Sequence, residues 1–537
     1  MNTNTSSFPC QCGCCVSTRQ LTAPFPREVP SFALPAVTRR GFLGTVGMIA
    51  AASLVLPSLS AEEAKQCSSV KERRPVNRRT LRVQPVLTYE TPQRREATSW
   101  RNWGGIRTEA QAKEEQARIA TELKRMAIKA EFPLELKPVL LVKTVEEAAN
   151  VAKGDYDVLV MFAAGGGLNV LETLSRKDRW NLMFLRHEPG PVYLWYEIVH
   201  PRFLRKTVDA YGQPGFDVAD VVTDDYDELL WKLRALHGLQ NTHGKRVVCI
   251  GGPAGWGEGG RQAPQIARDL WKLELADYPY KNLEPRLTAA FKDTALVSAC
   301  EKAAKIYLGK AGVKLETTRQ FVNHAFVLRE VMLDVMEEHQ TDAITVNACM
   351  GTIMGMSRTT ACLPLSLLND DGYLAFCESD FVVIPSGILL HYLAGKPVFL
   401  NDPTYPHDGV VTLAHCTAPR KMDGKKLEKA RILTHFESDY GAAPKVEMKL
   451  GQITTNLVPD FACKQWVGFA GTIVGNPFLD ICRSQIDVRI HGDCQALLEE
   501  MKGFHWMTCY GDYLQETGYA LGKLGVNLHN VSRPGTT

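Results

Sequence analysis

Three successive apolar runs in the last third of the chain each end in side chains able to do acid–base or metal chemistry. Tyr373-Leu374-Ala375-Phe376-Cys377 reads as a strand that delivers Glu378 and Asp380. Residues i and i+2 of an extended chain share a face, so these two carboxylates are expected to converge on one point. A helix over 384–394 follows, then the strand Pro397-Val398-Phe399-Leu400 with Asn401 and Asp402 at its tip. Next, Gly409 to Cys416 forms a strand ending in His415. Taken singly, each acid fits a surface carboxylate or a turn cap, and the histidine fits a structural role. Taken together, oxygen and imidazole donors at consecutive strand ends suit a divalent cation.

Positioning such a set requires a sheet scaffold, and the preceding sequence supplies one. Leu81–Leu87, Pro138–Val142 and Tyr156–Phe162 read as strands, separated by helices over Thr108–Met126 and Val145–Val151. This alternation predicts βαβ units with a parallel sheet over 81–190. A second α/β segment, 191–340, contains strands over Val192–Tyr196 and Lys245–Ile250, then helices over 225–239, 293–309 and 317–338. Ala343–Val346 opens the last segment, 341–537. Two Gly-rich loops follow strand ends, 163–167 and 251–260, but neither has a GxGxxG or Walker spacing. A plain tight turn is the simpler account of both. In the second, Trp256 and Glu258 are candidates for contact with a polar ligand.

Lysine plus arginine (62) nearly balances aspartate plus glutamate (59), a net +3 over 537 residues, so no global field marks a nucleic-acid partner. At 45% hydrophobic and 23% charged residues, the composition excludes a mainly disordered or fibrous chain. Thr38-Arg39-Arg40-Gly41-Phe42-Leu43 precedes an apolar stretch to Pro57, a twin-arginine export pattern with small residues near 58–61 for cleavage. The stretch is too short for a stable membrane anchor. A leader over 1–60, a basic linker over 61–80 and a periplasmic or extracellular destination are therefore expected. Four of the 15 cysteines, Cys10, Cys12, Cys14 and Cys15, lie within that leader. The remaining eleven are odd in number and contain no CxxC, so they read as small buried hydrophobes.

The segments Cys362-Leu363-Pro364-Leu365-Ser366-Leu367-Leu368-Asn369-Asp370, Cys377-Glu378-Ser379-Asp380, Gly395-Lys396-Pro397-Val398-Phe399-Leu400-Asn401-Asp402 and Leu413-Ala414-His415-Cys416-Thr417-Ala418-Pro419 resemble the L-fucose/L-arabinose isomerase superfamily. Gly503-Phe504-His505-Trp506, Tyr510-Gly511-Asp512 and Gly525-Val526-Asn527 look like its closing segment. The resemblance covers 340–530, and the two preceding α/β units by architecture only.

It implies an α/β fold of two Rossmann-like parallel-sheet domains followed by a mixed, β-rich C-terminal domain. It also implies Mn²⁺ or another divalent cation, a sugar substrate, aldose–ketose isomerisation through an enediol, and a homo-oligomer, trimer or hexamer. Glu378, Asp380, Asp402, His415 and His505 are the expected metal ligands, with Glu378 or Asp380 moving the proton. Two departures from the family pattern stand out. Thr359-Thr360-Ala361-Cys362 lacks the acid that fucose isomerases place there, and Asn401 stands near an arabinose isomerase glutamate, with only Asp402 beside it. A non-catalytic carbohydrate-binding protein is therefore the alternative expectation.

Overall fold

Leu81–Thr88 is a fully parallel strand at the centre of the first sheet, flanked by Leu134–Leu136 and Leu140–Val142 on one side and Val158–Ala163 on the other. The order continues through Trp180–Leu185 to Val221–Thr223. Continuous apolar strands such as Val158–Ala163, buried at every residue, are what a parallel sheet covered on both faces requires. The helix Val145–Ala152 starts in a reciprocal cap between Thr144 and Glu147, and Asp225 caps the helix Tyr226–Thr242. This computed structural model describes residues 73–76, 78–193, 204 and 215–532. The expected leader over 1–60, the linker up to residue 72 and the end of the strand expected over 192–196 lie outside them. No helix among the described residues is long and apolar enough to cross a membrane.

The second sheet is also parallel, in the order Leu374–Cys377, Ala343–Val346, Arg246–Ile250, Glu274–Tyr278. The boundary expected at 340/341 therefore runs through a sheet, because two strands of the last segment complete it. The third sheet is antiparallel and closes on itself. It runs Ile453–Val458, Trp506–Tyr510, Phe399–Pro403, Val410–His415, Ser484–Ile490, Gln465–Gly475, and Gln465–Gly475 pairs back to Ile453–Val458. A seventh strand, Asn527–Asn530, joins Gln465–Gly475 in parallel outside this barrel. The fold is thus mixed α/β, with two parallel sheets and a separate antiparallel β-barrel.

The last part of the expected linker is packed rather than free. Arg73 pairs with Glu330 and Asp334, and the Arg79 amide donates to Asn241 Oδ1 at 2.8 Å. Between the second sheet and the barrel lies the helix Ile384–Ala394, buried along its whole length. A Cβ on its Gly387 would sit 2.6 Å from Met507 Cε and 2.7 Å from the Phe376 ring. Glycine here lets the helix lie directly between a strand of the sheet and a strand of the barrel.

Candidate metal centre

Glu378 and Ser379 follow the strand Leu374–Cys377 with φ of +64° and +51°. Left-handed backbone at two consecutive non-glycine residues costs on the order of 1 kcal/mol or more each and needs surrounding contacts to hold it. Those contacts come from the Gly-rich loop after Arg246–Ile250. The Ala254 amide donates to the Ser379 carbonyl and the Phe381 amide to the Ala254 carbonyl, while the Trp256 amide donates to Asp380 Oδ1 at 3.1 Å. A Cβ on Gly255 would meet the Gly260 carbonyl oxygen at 2.0 Å, so only glycine permits this crossing of the loop. The loop acts as a brace for the bend that aims Glu378, while Glu258 faces solvent and pairs with Arg261.

Three neighbouring barrel strands supply the facing groups. His505 directly precedes the strand Trp506–Tyr510, Asp402 sits in Phe399–Pro403, and His415 ends Val410–His415. His505 Nε2 lies 3.2 Å from Glu378 Oε2 and 3.3 Å from Asp402 Oδ1, and His415 Nε2 lies 3.7 Å from Glu378 Oε1. Glu378, His415 and His505 thus meet at one point, with Asp402 beside His505, where the second sheet's carboxyl edge faces the barrel.

The fifth, Asp380, lies behind that point. Its Oδ2 accepts from His505 Nδ1 at 2.8 Å, and its Oδ1 accepts from the Trp256 and Val382 amides. The expected sharing of a face with Glu378 fails because the left-handed turn at 378–379 breaks the strand's two-residue period. Bonded to His505 and the loop, Asp380 is placed to orient an imidazole and stands outside the group of donor atoms formed by Glu378, His415 and His505. Thr417 Oγ1, 3.1 Å from His415 Nδ1, stands in the matching place behind the other histidine. Both imidazoles therefore turn Nε2 inward, the arrangement by which outer partners fix metal-binding histidines.

Burial and charge agree with a cation site. Both histidine side chains are buried, whereas Glu378 and Asp402 keep 23% and 22% of their side-chain surface, so the carboxylates form the accessible rim. His415 Nε2, His505 Nε2 and Asp402 Oδ1 are buried and lack a hydrogen bond of acceptable geometry despite their proximity to charged partners. Desolvation pushes the Asp402 carboxyl up to about 7 against the pull of His505 and His415. Burial works against charge on His415 too, but Glu378 and Asp402 outweigh it and raise the imidazole to about 10. His505 is raised for the same reasons, with Asp402 and Asp380 as the main partners after desolvation. Glu378 is held well below the usual carboxylate range because the two imidazoles outweigh its own desolvation. A pocket that raises two histidines is one that favours positive charge, and glutamate, histidine and histidine donor atoms all lying within 4.8 Å of one another can hold a metal ion.

Beside His505, the Trp256 and Phe504 rings stack with centroids 4.1 Å apart and 6° between planes. Phe504 was legible only as part of the closing motif, and nothing in its own spacing marked it as a partner for Trp256. Family models and characterised proteins, compared with this sequence, return no match.

Proposed function

We propose that this chain is an exported sugar isomerase-like protein, with Mn²⁺ or another divalent cation held by Glu378, Asp402, His415 and His505. The single observation that carries the proposal is the inward orientation of two buried imidazoles onto a partly exposed carboxylate, with Asp380 and Thr417 behind them. The reading also takes the two parallel sheets as Rossmann-like domains and the barrel as the core of an isomerase-like C-terminal domain. An oligomer of three or six copies and a periplasmic or extracellular location belong to the same proposal.

A bound divalent ion would polarise the sugar carbonyl and the adjacent hydroxyl. The chain's own contribution is proton transfer and orientation. Glu378, accessible at the rim, takes the proton from the carbon next to the carbonyl and returns it to the neighbouring carbon of the enediol. Asp380, buried behind His505 and bonded to it, is less well placed for this role. The stacked Trp256–Phe504 pair offers an apolar wall beside the site, suited to the C–H face of a sugar ring.

A second reading, a carbohydrate-binding protein without turnover, is favoured by the segment 359–362. It brings hydroxyls, a methyl group and a thiol where an acid would stand, and Thr360 Oγ1 is spent on the Ala442 carbonyl. The test is a screen of the purified protein with added Mn²⁺ against pentoses and 6-deoxyhexoses, following ketose formation and metal content. Ketose formation that falls with metal content in Glu378→Gln, and persists in His407→Ala, supports isomerisation. Sugar binding with metal bound but no ketose supports the second reading. Failure to load metal at all removes both.

A further inference from the structure

We infer that a second metal site, built from soft ligands, lies back to back with the first: Cys362, Cys416 and His435, with Cys482 as fourth ligand, hold a tetrahedral cation of the zinc type. The donor atoms of Cys362, Cys416 and His435 all lie within 4.8 Å of one another, and all three residues are buried. Half-buried Cys482 is in side-chain contact with both Cys416 and His435. Bonds of about 2.3 Å to sulfur and 2.0 Å to nitrogen place tetrahedral ligand atoms roughly 3.3–3.8 Å apart. The donor atoms of Cys362, Cys416 and His435 therefore need a contraction of at most about 1.5 Å to close on an ion.

The four residues come from separate elements. Cys362 opens the helix Cys362–Asp370, Cys416 follows Val410–His415, His435 follows the strand Lys429–Leu433, and Cys482 precedes Ser484–Ile490. Cysteines placed only as small hydrophobes have no reason to gather around a buried imidazole from three separate segments. Hydrogen bonds at or beside three of these residues tie their segments in place. The His435 amide donates to the Tyr440 carbonyl at 2.9 Å, Arg483 Nε donates to the Thr434 carbonyl at 2.8 Å, and the Leu363 amide donates to the Ala442 carbonyl at 3.1 Å. Cys377, in contact with Cys416, extends the thiols toward Cys349, whose sulfur is 3.3 Å from its own.

Adjacency in sequence links the two centres. Cys416 directly follows His415, and Cys377 directly precedes Glu378, so the same two chain segments present sulfur to one side and hard or borderline donors to the other. Thiolates select zinc-like ions, whereas the carboxylate-rich pocket suits manganese-like ions, so the two sites need not compete. The soft site stands independently of the isomerase proposal.

The test uses the full chain with Cys10, Cys12, Cys14 and Cys15 changed to serine, so that leader thiols cannot contribute. After reducing, metal-free purification, Co²⁺ is titrated in the presence of saturating Mn²⁺, then displaced with Zn²⁺. The expected result is thiolate-to-cobalt charge-transfer absorption that saturates at one equivalent and is abolished by one equivalent of Zn²⁺. Cys362→Ser and His435→Gln should each weaken that binding about ten-fold or more without changing Mn²⁺ stoichiometry, whereas Cys300→Ser, on a distant helix, should leave both unchanged. Absence of the charge-transfer band before any of these three substitutions is made overturns the inference and requires no variant to fold. So does a band that survives both ligand substitutions, or a Cys362–Cys416 disulfide found by mass mapping of protein prepared without reductant.

Discussion

Asp380 Oδ2 and His505 Nδ1 lie 2.8 Å apart although 125 residues separate them in the chain, and this bond decides which way the imidazole faces. A carboxylate can only accept, so Nδ1 keeps its proton, and Nε2, turned toward Glu378, is the nitrogen that gives up its proton when a cation takes its place. Asp380→Asn keeps the shape and leaves an amide oxygen for the Trp256 and Val382 amides. Its NH₂ then faces His505 and favours the other tautomer. Metal affinity should fall about 10–100-fold with the fold intact, as read by Mn²⁺ titration beside circular dichroism. Unchanged affinity would show that the orientation is set elsewhere.

The bend at Ser379 should be costly to the native state. Its φ is +51°, it is fully buried, and its hydroxyl has no hydrogen-bond partner among the described residues. Ser379→Gly removes both penalties and gives back part of the gain as chain entropy, for a net stabilisation of about 1 kcal/mol. Urea denaturation checks this, and a lowered midpoint at unchanged slope would contradict it.

Gly387 tests whether the helix between sheet and barrel sets the spacing of the two halves of the site. Alanine there would press on Met507 and on the Phe376 ring, which cannot swing away as a methionine terminus can. Gly387→Ala should destabilise by about 1–3 kcal/mol and weaken metal binding, since it pushes the Glu378 strand away from the His505 strand. A loss of stability with metal affinity untouched would show that the two halves are held by other contacts.

Acid should unfold the protein partly through His237, away from the metal centre. The residue is fully buried against Phe132, its ring nitrogens make no hydrogen bond of good geometry among the described residues, and desolvation, helped by Arg78, lowers its pKa to about 4. Because the unfolded value is near 6.5, the unfolded chain binds the extra proton in the window between them. This contribution is complete above pH 6.5 and is lost as pH falls toward 4. Between pH 7 and 5 the loss is about 2 kcal/mol, and His237→Leu should flatten that limb in urea titrations at the two pH values. An acid limb of equal slope in the variant would assign the loss to other groups.

The parallel strands and the strand-end acids were legible because Leu374–Cys377 and Val158–Ala163 are short, continuous apolar runs between turn signals. The barrel was legible only as a β-rich tendency. Its strands over 453–458, 465–475 and 484–490 mix glycine, threonine and polar residues, and ring closure is a relation between strands that no local pattern carries. Asp380 was misplaced for a local reason, the left-handed pair at 378–379, which no rule of strand alternation anticipates. The thiol cluster was missed because its four ligands have no shared spacing, and the neighbouring pair His415-Cys416 was its one linear trace.

The separation of Asp380 from His505 also imposes an order of events on biosynthesis. At roughly 5–20 residues per second, the ribosome needs about 6–25 s to travel between them. Throughout that interval the loop brace and the left-handed bend at Glu378 can form, but the imidazole that completes the pocket does not yet exist. On the proposed function, tight ion capture would therefore follow closure of the barrel by Trp506–Tyr510. A nascent chain stalled before that strand would carry a half-built pocket of carboxylates and one histidine, with far weaker hold on any cation.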